Sequence, residues 1–264
     1  MSRQTYTTDL TDAQWQVVAP LLPPAARRGR PREHSLREIL NAIVYLVNNG
    51  IKWRALPHDL PPWQSVYYYF RLWTKQGTWE QLNTALRELV RQKAHRQPQP
   101  SAASLDSQSV KTTEEAAAET RGFDSAKQIK GRKRHVLVDT LGLVLKAVVL
   151  SASIQDRDGA RTLLDKVRGT LTRLQKVWAD AAYAGPKLGD WVKEKCHWVL
   201  EIVKRSDAMK GFVLLPKRWV VERTFSWLGR NRRLSKDYER LPESSESVIY
   251  IAAIRLMIIR LARS

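Results

Sequence analysis

A single cysteine, Cys196, stands in 264 residues, so no internal disulfide can brace the chain and its stability has to come from a buried core. Acids are in short supply. Against 45 Lys and Arg there are 26 Asp and Glu, a net charge of +19 at pH 7, and that excess suits a polyanionic partner, nucleic acid first, better than a metabolite. Long apolar runs are missing too. The longest, VIYIAAIRLMIIRLA, is interrupted by Arg255 and Arg260 well before the ~20 residues of a membrane span, which predicts a helix with much of its surface buried and no membrane partner. Met1 is followed by polar residues rather than by the charged-then-apolar pattern of a signal peptide, so the expected compartment is the cytoplasm. What the chain does have is core material, with 43% hydrophobic residues and ten Trp.

The first hundred residues read as helices with clear punctuation. LTDAQWQVVAPLLP offers Thr11 as an N-cap and prolines as a stop; after the basic loop RRGRPR, HSLREILNAIVYLVNNG is a second amphipathic helix ended by Asn49-Gly50. IKWRALP gives a short helical turn, and PPWQSVYYYFRLWTKQGTWEQLNTALRELVRQK is a helix broken by Gly77. Helix, turn, short helix, then a helix opening on Trp63, Gln64 and Ser65 is compatible with a helix-turn-helix reader of DNA. A helical bundle whose aromatics are simply core fits the same pattern. In the reader, Gln64, Ser65, Tyr68 and Arg71 are candidate DNA contacts, while Val66, Tyr69, Phe70 and Trp73 point inward. Arg28, Arg30 and Arg32 of the RRGRPR loop are candidates for a narrow minor groove. The aperiodic run AHRQPQPSAAS, residues 94–104, marks a boundary. The expected division is a helical region over 1–96, a linker over 97–104 and a second domain over 105–264.

Beyond the linker the rhythm becomes α/β. ASLDSQSVK is an extended run carrying Asp106, RHVLVDTLG and LVLKAVVLSAS form a hairpin turning at Leu141-Gly142, and DRDGARTLLDKVRG is helical. KVWADAAYAG is a strand, PKLGDWVKEKC a helix, HWVLEIVKR a strand and RWVVERTFSWLGRNRRL a basic helix. Three strands, helix, strand, helix, strand, helix predicts a mixed sheet on the ribonuclease-H-like plan.

In that plan the acids acquire a meeting place. With the first and fourth strands adjacent, Asp106 and Asp180 converge, and the helix after the last strand can lower Glu222 onto the same spot. Three clustered carboxylates repel and call for divalent cations. Two Mg²⁺ about 4 Å apart suit in-line phosphodiester chemistry. Each acid also has a bland reading. Asp180 could be a turn or cap residue, and Glu222 an ion-pair partner among arginines. Asp139, before TLG, is expected to be a hairpin-turn acid, and Asp156 and Asp158 helix caps.

SLDSQSVKT, GFDSAKQIKGRKRHVLVDTLGLVL, VWADAAYAG and RWVVERTFSWLGRNRRLSKDYE, in this order, resemble the DDE transposases of bacterial insertion sequences of the insertion-sequence-five type, related to the insertion-sequence-four superfamily. The similarity extends to LTDAQWQVVAPLLP and GIKWRALP near the N-terminus, and so covers nearly the whole chain. It implies that Asp106, Asp180 and Glu222 are the catalytic acids and hold two Mg²⁺, replaceable by Mn²⁺. It further implies that the protein binds the terminal inverted repeats of its element, cleaves there and joins the 3′-hydroxyls to target DNA, as a homodimer on double-stranded DNA in the bacterial cytoplasm and nucleoid. Related families surround the last acid with a tyrosine, arginine, glutamate and lysine signature. Here Arg218 fits that pattern, but Leu215 holds the tyrosine's place and Gly229 the lysine's, leaving Arg230 or Arg232 as the nearest replacement. A catalytically silent DNA-binding regulator and a structure-specific nuclease on the same fold are the alternative readings. The presence of all three acids argues against the first.

Charge is concentrated in two blocks. Residues 121–135 carry six Lys or Arg against Asp124, and residues 204–240 carry eleven against four acids. Solvated surface is the plain explanation for either block. On DNA, Lys127, Lys130, Arg132, Lys133 and Arg134 could follow the backbone, with Arg218, Arg223, Arg230, Arg232 and Arg233 around Glu222. Trp227 could stack on an unpaired base or belong to the core.

Overall fold

Thr11 opens α1 (Asp12–Val18). Its hydroxyl accepts the Gln14 N–H while the Gln14 side chain accepts the Thr11 N–H, which satisfies two donors that helix geometry leaves orphaned. The computed structural model describes residues 3–24, 32–203, 217 and 219–263. Ser35 caps α2 (Leu36–Asn49), and Gly50 ends it at φ 70°. A side chain there is excluded twice over, by the left-handed backbone and by Arg232 and Arg233, whose atoms would lie 3.0–3.2 Å from a Cβ. A 3-10 turn, Trp53–Ala55, leads to α3 (Trp63–Lys75), and Gly77 at φ 69° turns the chain into α4 (Thr78–Lys93).

The sheet contains β1 (Ala102–Lys111), β2 (Gly122–Asp124), β3 (Ile129–Asp139), β4 (Val144–Ser151), β5 (Lys176–Ala179) and β6 (Val199–Ile202). Its order is β2-β3-β1-β5-β6, with β4 also paired to β3. β1, β2, β3 and β4 pair antiparallel, while β5 joins β1 and β6 joins β5 in parallel. This is the mixed ribonuclease-H-like sheet that the strand order predicts. The three-residue β2 is an addition, too short for alternation to reveal. α5 (Asp156–Asp165), α6 (Pro186–Trp191), α7 (Trp219–Gly229) and α8 (Pro242–Ala262) complete the chain.

Strand alternation splits the core in two. Val136 and Val138 of β3 face one layer with α7, α8 and the N-terminal helices, whereas Leu137 faces the other with α5 and Leu105 and Val177 of the sheet. The first layer runs without a break from Leu10, Ile43 and Trp73 to Val149, Val221 and Ile254. The helical region expected over 1–96 therefore does not close a core of its own. The expected linker is also shorter, because Ala102, Ala103 and Ser104 already pair in the sheet. α8, the apolar run cut by two arginines, is buried along most of its length, and no helix among the described residues is long and apolar enough to cross a membrane.

Two buried bases invite tests of stability. Arg87 of α4 is 2% exposed, its Nε has no hydrogen-bond partner among the described residues, and its contact with Glu88 is long, at 3.9 Å. Burial lowers its pKa. A desolvated guanidinium so poorly matched costs more than an apolar side chain of similar length, so Arg87→Met is expected to stabilise the fold by about 1 kcal/mol or more. A thermal melt should show Tm higher by a few degrees, and a fall in Tm would contradict the assignment.

His135 of β3 is fully buried against α5, where a Cβ on Gly159 would collide with the ring at 2.1 Å. Burial pushes its pKa down from 6.5 to about 4. Between those values the unfolded chain takes up a proton that the folded chain refuses. Stability is therefore fully present above pH 6.5 and declines as pH falls toward 4, by about 3 kcal/mol from this group. Urea titrations from pH 7 to 4 should show that decline in the wild type and less of it in His135→Leu. Equal pH dependence in the two would refute it.

Candidate active site

β1 and β5 run parallel with Ser104 opposite Trp178. Two residues further along lie Asp106, inside β1, and Asp180, one residue past the end of β5, so the register extrapolated by the period of two carries both toward one face. Asp106 faces the same layer as Val136, its cross-strand partner in β3. Its Oδ1 accepts the Ser107 N–H at 2.7 Å. Asp180 ends its strand because it also starts the next element. It caps the 3-10 turn Ala181–Tyr183, accepting the Ala182 N–H at 2.8 Å. The cap reading of this acid and its place beside Asp106 hold together. Beneath them lies Tyr183, 1% exposed, whose hydroxyl pKa is pushed well up by burial and then by Asp106, with Asp156 and Asp180 adding to it.

α7 covers this face. Ser104 Oγ donates to the Lys217 carbonyl at 2.7 Å just before the helix, Val220 and Val221 enter the layer of Val136, and Thr224 Oγ1 donates to the Gly142 carbonyl at 2.8 Å. Glu222 is exposed in the first turn of α7. Thus Asp106 and Asp180 stand on neighbouring elements, and Glu222 is carried by the helix that packs against β1. Among the described residues, however, no three His, Cys, Asp or Glu stand close enough to share a metal ion. The donor set is all carboxylate oxygen, which fits a hard divalent cation.

Asp139 is the turn acid that the sequence suggests. Its Oδ1 accepts the Leu141 and Leu143 N–H groups at 2.9 Å each, and its Oδ2 pairs with Arg91 at 2.5 Å. Asp156 is not the cap of α5, since that position is Gln155; instead it accepts from Ser107 Oγ at 2.6 Å and pairs with Lys133 at 3.2 Å.

The basic candidates divide sharply. Gln64, Tyr68, Lys127, Lys130, Arg230 and Arg232 are exposed, and Ser65 is half-buried. Arg28, Arg30 and Arg218 lie outside the described residues, while Arg32 donates to the carbonyls of Pro23 and Pro24. Arg71 turns away from solvent to Ser244 Oγ at 2.9 Å and Glu243 at 3.8 Å.

Four expected backbone contacts are corrected by burial. Arg132 is fully buried, pairing with Asp237 at 3.4 Å and donating to the carbonyls of Glu239 and Arg240. Arg134 donates to the carbonyls of Leu234 and Lys236. Lys133 sits between Asp124 and Asp156, and Arg233 pairs with Glu239 at 2.7 Å and donates to the Ile51 carbonyl at 2.6 Å. A phosphate cannot reach these groups in this fold, so Arg233→Ala is expected to lower stability rather than flatten the salt dependence of DNA binding. Asp237 and Glu239 of KDYER, missed as partners, pair with Arg132 of GRKRH and Arg233 of NRRL. Arg223 is half-buried, donating to the Leu141 carbonyl at 3.1 Å.

Residues 97–257 match the family described as "Transposase DDE domain", and residues 10–83 the one described as "Putative transposase of IS4/5 family". Two proteins of Burkholderia cepacia are similar over part of the chain. One, "Insertion element IS402 uncharacterized 16.2 kDa protein", is 31% identical over 108 residues, 39% of this chain and 72% of its own length. The other, "Putative transposase for insertion sequence element IS402", is 30% identical over 117 residues, 42% of this chain and about half, 54%, of its own length. The matched DDE domain implies a DNA substrate and dependence on a divalent metal ion. With the DDE-domain match spanning most of the chain, Asp106, Asp180 and Glu222 included, and the IS4/5 match preceding it, the chain belongs to the DDE transposases of IS4/IS5-type insertion elements.

Proposed function

We propose that the protein binds the terminal inverted repeats of its own insertion sequence, cleaves DNA at the element ends and joins the freed 3′-hydroxyls to target DNA. The observation that carries this reading is the placement of Asp106 inside β1 and Asp180 just past the end of its parallel neighbour β5, with Glu222 on the helix that packs against β1. These three carboxylates would hold two Mg²⁺, with Mn²⁺ as a substitute, and the ions when bound activate the attacking oxygen and stabilise the leaving one. The chain's own part is positional. Ser107 and Ala182 N–H groups fix the two aspartates, and β1, the end of β5 and α7 carry the three acids on neighbouring elements.

Exposed Lys127, Lys130, Arg230 and Arg232 supply sequence-independent attraction for the backbone, and Arg230 or Arg232 takes the role of the absent signature lysine. Gln64, Ser65 and Tyr68 of α3 read the repeat. In this division of labour residues 1–96 recognise ends, the short stretch before β1 connects, and β1 onward carries the chemistry. A homodimer handles two ends together, in the cytoplasm beside the nucleoid.

The test incubates the full chain with labelled element ends, supercoiled plasmid and Mg²⁺. Joined product is the expected result. Nicked ends without joining would make the protein a nuclease, and DNA binding without cleavage a regulator.

A further inference from the structure

Trp219, Arg223 and Trp227 recur every fourth residue of α7 and share one face of it. The Arg223 guanidinium carbon lies 4.1 Å from the centroid of the Trp219 ring and 4.5 Å from that of Trp227, and Arg260 of α8 lies 4.5 Å from the same Trp227 ring. The indole that could have served as a platform for a base is taken by two guanidiniums. What it provides instead is a rigid apolar spacer that fixes two like charges near each other. With Lys93 and Leu141, the side chains of Arg223, Trp227 and Arg260 border an open cavity of about 380 Å³.

The positive charge at this cavity is not balanced from within. Among the described residues neither Arg223 nor Arg260 forms an ion pair, and the Nε of Arg223 is buried without a hydrogen-bond partner. Asp139 beneath them is fully buried and engaged by Arg91 and two backbone N–H groups. Burial lowers the pKa of both arginines, and the charge of Arg223 lowers that of Arg260 further. Lys93 contributes differently. Its ammonium donates to the carbonyls of Arg260, Leu261 and Arg263, which offsets the negative end of the α8 dipole that would otherwise oppose an anion here.

We propose that this cavity binds the phosphate backbone of DNA through Arg223 and Arg260, a contact that rests on the reading of the chain as a DNA-transacting enzyme. Guanidinium forks match phosphate oxygens, and the open side of the cavity admits a polymer. Arg223 follows Glu222 directly, so the bound phosphate belongs to a strand passing along the flank of α7 beside the acids. Arg260, some forty residues away in sequence and in a run that reads as pure core, is the new member of the DNA surface.

Two measurements on the full chain decide it. The first follows affinity for a fixed 30-base-pair duplex against salt. Arg260→Gln is expected to weaken binding about three- to tenfold at low salt and to reduce the slope of log K against log salt by about 0.9, the value of one lost phosphate contact, while Arg260→Lys keeps most of the slope. A folded Arg260→Gln chain with the wild-type slope overturns the proposal.

The second needs no variant. Phenylglyoxal modification of Arg260, read by mass spectrometry, should be suppressed by the duplex and not by inorganic phosphate at equal phosphate concentration. Equal modification with and without DNA, or equal protection by inorganic phosphate, also overturns it. Failure of the wild-type chain to bind any duplex would instead count against the functional reading itself.

Discussion

Asp106→Asn or Asp180→Asn is expected to abolish cleavage of element ends while leaving DNA affinity close to that of the wild type. Each substitution keeps the shape of the side chain and, for Asp180, the oxygen that caps the following turn at 2.8 Å. The fold should therefore persist. What disappears is one negative charge from a pair on neighbouring elements, and with it the electrostatic reason for a divalent cation to settle there. DNA affinity comes mainly from basic groups elsewhere and should not follow. Glu222→Gln belongs to the same series, and its loss of activity would show that the helix-borne acid acts with the strand pair. The check is a side-by-side measurement of gel-shift affinity and single-turnover cleavage in Mg²⁺. A variant of either aspartate that cleaves near the wild-type rate would remove that residue from the site.

Arg132→Ala is expected to produce the largest loss of stability of any single basic residue, about 3–5 kcal/mol. The guanidinium is fully buried on β3 and donates to Thr120, to the Glu239 and Arg240 carbonyls and to Ser245, alongside its ion pair with Asp237. Ser245 Oγ in turn bonds Asp237 at 2.7 Å. Removing the cation leaves Asp237, itself 1% exposed, as an uncompensated buried charge, and takes from the Glu239 carbonyl its Arg132 donor, while the Arg240 carbonyl keeps the Ala117 N–H. Lys cannot rescue it, since one ammonium does not span partners that a planar fork reaches together. Equilibrium unfolding in urea measures the effect. If Arg132→Ala instead unfolded like the wild type but bound DNA with a shallower salt slope, the residue would belong to the DNA surface after all.

Asp106, Asp180 and Arg132 show what sequence could and could not supply. What was legible around Asp106 and Asp180 is the sheet: the ribonuclease-H-like plan sets the first strand beside the fourth strand read from the sequence, and β1 does pair with β5. The local devices were legible too: the Thr11 cap, the Gly50 stop and the Asp139 turn all act within a few residues of themselves. Arg132 was misread because its partner Asp237 lies 105 positions away, and a basic run looks alike whether it meets phosphate or buried carboxylate. A signal was nonetheless present. In IKGRKRHVLVD, Arg132 and Arg134 share parity with Val136 and Val138, the residues that enter the main layer, so alternation already pointed these arginines inward. The run at 94–104 misled in another way. Its composition lacks periodicity, yet its last three residues pair with β5 and the last two of them also with β3.

The unbroken apolar layer between the N-terminal helices and the sheet bears on how such elements diversify. If end recognition resides in α3, it cannot be exchanged between relatives as a cassette cut near residue 96, because the cut would expose Trp73, Trp79 and Ile43 on one side and Val149 and Ile254 on the other. New end specificity would have to arise by substitution at solvent-facing positions such as Gln64 and Tyr68, one side chain at a time. Reader and chemistry would then descend together, and the DNA termini would have to change in step with a surface rather than with a transplanted part.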